Sequence, residues 1–156
     1  MHPEDVYLAK KQKPSLNVLV QLADLMPNYM FNAYGASLDW IGRDRALLRD
    51  TVAAMIEANR AMFRDMDKVV PIIVKATEKP KEAVEYAIDV LTNHCVWSVN
   101  NGFDPVRTQW TIDNSAENGD IEKDKKPTVE QVANSALAKE AVEAAGGPVT
   151  IGNCKD

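Results

Sequence analysis

The chain has 156 residues, of which 46% are hydrophobic and 26% charged, with a formal net charge of −5. That length supports one ordinary domain with a real core, and the composition argues against wholesale disorder. Acidity without a stripe of clustered Lys and Arg excludes a phosphate-neutralising surface, so no nucleic-acid partner is expected.

In chain order, residues 4–13 are predicted to form a short helix, opened by Pro3 and closed before Pro14. Lys10, Lys11 and Lys13 end it, where the helix dipole favours cations. Residues 16–23 and 29–36 are apolar, extended-looking runs and are predicted as two strands, the second rich in aromatic residues and carrying Gly35. Two strands joined by a short turn do not make a stable sheet. The expected fold class is therefore α/β, with a few strands at the N-terminal end, a mostly helical C-terminal part, and some of the sheet lying outside this chain. Residues 37–43 are expected to be a short connection.

A long helix is predicted over 44–66. Leu48, Val52, Met55, Ile56, Met62, Phe63 and Met66 form its apolar stripe, while Glu57, Arg60 and the other charged residues fill the rest. The methionines are read as core, not as a cofactor box. Asp67 is expected to cap a following helix, with Pro71 in its first turns. Another helix opens after Pro80, with Val84, Ala87, Ile88 and Leu91 facing inward. Residues 93–102 are a polar and aromatic connection. Asp104-Pro105 starts a helix that ends near Gly119. Residues 120–126 are a charged, mobile loop. Thr128 and Gln131 make a capping box for one helix running to Gly146-Gly147, and the tail beyond lacks periodicity.

No P-loop, dinucleotide fingerprint, nucleophile elbow, zinc-protease motif or calcium loop is present. The only histidines are His2 and His94, and the acidic residues are scattered. No catalytic residue, metal or cofactor is therefore expected, and the chain is not read as an enzyme. Cys95 and Cys154 are the only cysteines, and two readings stay open: a disulfide in an oxidising compartment, or two free thiols. Of the three tryptophans, Trp40 is the best ligand candidate. It lies in an expected strand-to-helix connection, where open α/β sheets place ligands, with Tyr34, Ser37 and Asp39 nearby. No apolar stretch is long enough to span a bilayer, and residues 1–5 lack the basic and apolar regions of a signal peptide.

The order of these pieces resembles a known family. His2-Pro3-Glu4-Asp5-Val6-Tyr7-Leu8-Ala9 followed by Leu16-Asn17-Val18-Leu19, then Ala53-Ala54-Met55-Ile56-Glu57-Ala58-Asn59-Arg60, Pro80-Lys81-Glu82-Ala83-Val84 and Pro127-Thr128-Val129-Glu130-Gln131-Val132, resemble the nitrate/sulfonate/taurine-type solute-binding proteins of ABC importers. Thiamine-pyrimidine synthesis proteins are related to them. The resemblance implies a two-lobed type II periplasmic-binding-protein fold, of which this chain is the carboxyl-terminal half. Residues 1–28 would end the second lobe, 29–43 would cross over, and 44–156 would be the helical part of the first lobe. It implies a periplasmic location, a small-molecule ligand and an ABC permease as partner. It also places His2, Pro3 and Glu4 at the cleft, where Glu4 leaves a cationic or neutral ligand open. The alternative is a non-transport helical interaction protein that oligomerises through its unpaired strands.

Overall fold

Where the sequence pattern predicts strands, the computed structural model has irregular chain with no ladder partner, and residues 22–23 of the first run begin a helical turn. It describes residues 1–30, 32–100 and 103–155; Phe31 of the expected second strand, Asn101 and Gly102 of the expected connection, and Asp156 lie outside the described residues. Among the described residues there are nine α-helices and no strand, only one isolated bridge between Ile151 and Cys154. The expected α/β, type II periplasmic-binding-protein-like class is thereby corrected to an all-helical one. The physical reason is that Val- and Leu-rich runs adopt a strand only against a ladder partner. Residues 16–21 have none here, and Leu19 is 94% exposed. In the second run the Met30 N–H donates to Thr111 Oγ1 at 3.2 Å, so a helix side chain takes a donor that a sheet would have used.

Helix α1 spans Pro3–Gln12, and α2 is a single turn at Leu22–Leu25. The expected connection at 37–43 is instead helix α3, Leu38–Arg43, capped by Ser37 Oγ accepting from the Trp40 N–H at 3.2 Å. The predicted long helix is α4, Arg45–Arg64, and α5 follows directly as Met66–Thr77. Pro71 is the sixth residue of α5, where it removes the N–H that would bond the Asp67 carbonyl. Helix α6 is Lys81–Asn93 and α7 is Pro105–Glu117, with Asp104 accepting from the Arg107 N–H at 3.0 Å.

The charged loop contains a 3₁₀ turn at Lys123–Lys125 and is tied to α7 by Lys126 on Asp113 at 2.5 Å. The expected final helix is divided into α8, Val129–Val132, and α9, Ser135–Ala144. Asn134 causes the break, because its side chain accepts from the Leu137 N–H at 3.1 Å and starts a new helix. The capping box of Thr128 and Gln131 is present.

Two clusters make the core. Ala53 and Ile56 of α4 pack on Ala141 and Val142 of α9. Val69 and Val70 of α5 pack on Val84 and Ile88 of α6, with Met62, Met66 and Trp97 at their edge. Helix α1 lies on α6, where the Tyr7 and Tyr86 ring centroids are 5.5 Å apart. Residues 28–30 fasten to α7 through Thr111 and the edge-to-face pair Tyr29–Trp110, centroids 6.3 Å apart.

Candidate functional site

A cavity of about 570 Å³ opens beside α1, lined on another side by residues 32–34. Its floor is apolar: Val52, Met55 and Ile56 from α4, and Val84, Ala87 and Ile88 from α6. The helical periodicity that builds the core also builds this floor, since Ile56, Val84 and Ile88 belong to both. A few polar groups line the rest, including His2, Glu4, Asn59, Lys79, Asn100 and Arg107. An apolar enclosure with a few convergent polar groups is the usual form of a small-molecule site.

One wall is the loop after α6, through Val96, Trp97, Ser98 and Asn100. Its position is fixed from beneath. Helix α6 ends with the Val96 N–H on the Leu91 carbonyl at 3.0 Å and the Cys95 N–H on the Thr92 carbonyl at 3.1 Å. That is the hydrogen-bond pattern of a glycine-type helix stop, with Cys95 in the left-handed position at φ 49°. Cys95 is joined to Cys154 by a disulfide with Cα atoms 5.4 Å apart. Asn59 Nδ2 donates to the Ser98 carbonyl at 3.0 Å.

Arg60 holds the same loop and is corrected from the polar face of α4 to the interior, 2% exposed. All five of its N–H donors are used. Nε donates to the Val99 carbonyl at 2.8 Å, Nη2 to the Gly147 carbonyl at 2.7 Å and to Asn100 Oδ1 at 3.3 Å. Nη1 donates to Glu57 Oε1 at 2.7 Å and to the Ala145 carbonyl. Asn100 extends the network to the tail, donating to the Val149 carbonyl at 3.1 Å and the Lys155 carbonyl at 3.0 Å, and accepting from the Val149 N–H at 2.9 Å. The cavity wall is thus clamped between α4 and the C-terminal tail.

At the α1 side, Lys79 pairs with Asp5. The hydrogen bond from Lys79 is the chief cause that holds the Asp5 carboxyl below its ordinary 3.8, and the same bond raises Lys79. A depressed carboxyl stabilises the fold above its ordinary pKa, and that contribution is lost as pH falls through the folded value. Both side chains are partly solvated, so the effect is modest and salt-sensitive. Asp5→Asn is expected to lower the thermal midpoint near neutrality, with the wild-type advantage shrinking as pH drops to and below 3.8. A difference independent of pH, measured by circular dichroism melts, counts against this role.

Arg107 also lines the cavity. Its Nε is buried and has no hydrogen-bond partner among the described residues. The sequence signal for it was weak, since an arginine in the first turn of α7 resembles any surface arginine.

The structure brings three of the predicted ligand residues together: His2, Glu4 and Tyr34 all line the cavity. Pro3 is the first residue of α1 and does not line it. Ser37, Asp39 and Trp40 do not line it either. They belong to the start of α3, where Ser37 is spent as its cap and Asp39 pairs with Arg43 at 3.5 Å in solvent. Among the described residues no cluster of three His, Cys, Asp or Glu is placed to hold a metal ion, and no helix is long and apolar enough to cross a membrane. Comparison with known proteins finds no matching family model, no similar curated protein and no similar solved structure.

Proposed function

We propose that this chain is a solute-binding component of an ABC importer, or part of one, and that it holds a small organic molecule in the cavity beside α1 without transforming it. The location proposed with it is the periplasm, and the second partner is a membrane permease. The observation that carries the reading is the cavity: about 570 Å³, apolar in its floor, with His2 and Glu4 from the start of α1 and Tyr34 from beyond α2 meeting on it. The resemblance in segment order adds the transport context. Leu16, Val18, Leu19, Val20, Leu22 and Leu25 are all at least 40% exposed, which leaves an apolar surface available to a larger assembly.

A thermal-shift screen against aromatic acids, sulfonates and pyrimidines tests it. A solute at roughly 100 times its Kd should stabilise the protein by about 2.7 kcal/mol. Ala87→Phe, which puts a ring into the cavity floor, should abolish that gain while leaving the helical circular dichroism intact. Stabilisation by no compound in the screen, or equal stabilisation of Ala87→Phe, counts against the proposal.

The exposed apolar run at 16–25 specifically favours a second reading, a helical interaction protein that self-associates through that segment. Light scattering separates the two: a stable monomer that binds a solute rules out the second.

A further inference from the structure

Resting on the cavity as a solute site, we infer that its ligand is an aromatic carboxylate, with Arg107 as the anchor for the acid group. Two permanent cations line the cavity, Lys79 and Arg107. Lys79 is already neutralised by Asp5. Arg107 is in none of the ion pairs among the described residues. A guanidinium on the wall of an apolar cavity, with no carboxylate of the described residues paired to it, favours an anionic ligand over a neutral one.

The guanidinium offers parallel N–H donors from its two Nη atoms, and the planar pair of oxygens in a carboxylate matches such a pair with two bonds. The apolar floor and the rings of Trp97 and Tyr34 suit a flat hydrocarbon body. Glu4 is the lining carboxylate, and it stands with His2 at the start of α1, on the side where Lys79 and Asp5 meet. An acid bound at Arg107 with its ring over the floor keeps its charge on α7 and leaves the Glu4 end for a neutral or hydrogen-bonding tail.

Three probes of one shape test this by calorimetry: 2-naphthoate, 2-naphthalenemethanol and 2-naphthylmethylamine. The acid should bind, the alcohol about tenfold more weakly, and the amine more weakly still. Arg107→Met should remove the preference for acid over alcohol, and Arg107→Lys, a point charge without the fork, should restore only part of it. Equal binding of the three probes by the natural protein overturns the carboxylate assignment while leaving the cavity as a solute site. Preference for the acid that survives in a folded Arg107→Met also overturns it. Binding of none of the three, alongside binding of a pyrimidine from the screen, overturns the assignment alone; no binding of any compound removes the solute site as well. Should Arg107→Met fail to fold, the order of the three probes on the natural protein still decides.

Discussion

Arg60→Met is expected to lower the free energy of unfolding by about 3–5 kcal/mol, because several buried acceptors lose their shared donor at once. The side chain is 2% exposed and spends five N–H groups on Glu57, Asn100 and the carbonyls of Val99, Ala145 and Gly147. Methionine fills part of the volume but leaves those acceptors without their donor, and buried acceptors left unmet cost about 1–3 kcal/mol each. Arg60→Lys should recover only a fraction, because one ammonium cannot reach three separate carbonyls at once. Urea titration measures it. The loss should come with weaker solute binding, because Val99 and Asn100 lie on the loop that walls the cavity. A loss near the ~0.5 kcal/mol typical of surface changes would contradict the clamp.

The second large effect is expected from the disulfide. Cys95 and Cys154 are 59 residues apart in sequence, and closing a loop of that length restricts the unfolded chain by about 4 kcal/mol on the chain-entropy estimate. The doubly substituted Cys95→Ser/Cys154→Ser protein should unfold at lower guanidinium than the oxidised protein, by up to that amount. Its residues 149–155 should exchange amide hydrogens faster, since the bond and Asn100 together hold the tail. Alkylation of two thiols in denatured, unreduced protein, or unchanged unfolding after substitution, contradicts this.

These two sites differ in how far the sequence discloses them. Two cysteines leave pairing and free thiols both open, and only the approach of the α6 end to the tail selects one. Arg60 looked like part of a charged helix face because arginine is usually solvated. A signal was nevertheless there: Ala53, Ile56 and Arg60 fall at i, i+3 and i+7, so the arginine continues a stripe that turns inward.

Helices α4 to α7 were legible because amphipathic spacing and the Asp104-Pro105 start are local signals. The start of α3 was equally local, Ser37 followed by Asp39, yet it was hidden by the assumption that a strand had just ended. The strands at 16–23 and 29–36 were misjudged because β preference reports what a segment does against a neighbouring strand, and no such neighbour is among the described residues. The same assumption placed Ser37, Asp39 and Trp40 at a ligand edge that a sheet would have made. His2, Glu4 and Tyr34 reach the cavity by another route, through the docking of α1 on α6 and the course of residues 32–34 along its rim. Arg107 was invisible in sequence because its significance lies in a missing partner, which only packing reveals.

The most direct measurement is fluorine NMR of protein labelled with 5-fluorotryptophan, titrated with 2-naphthoate. Trp97 lines the cavity, whereas Trp40 lies on α3 and Trp110 faces Tyr29. Resonances assigned by single Trp→Phe substitutions should show a saturable shift at Trp97, with Trp40 and Trp110 nearly unmoved. Binding that shifts Trp40 or Trp110 and leaves Trp97 in place, or binding saturated by calorimetry that moves none of the three, would contradict a solute site in the cavity.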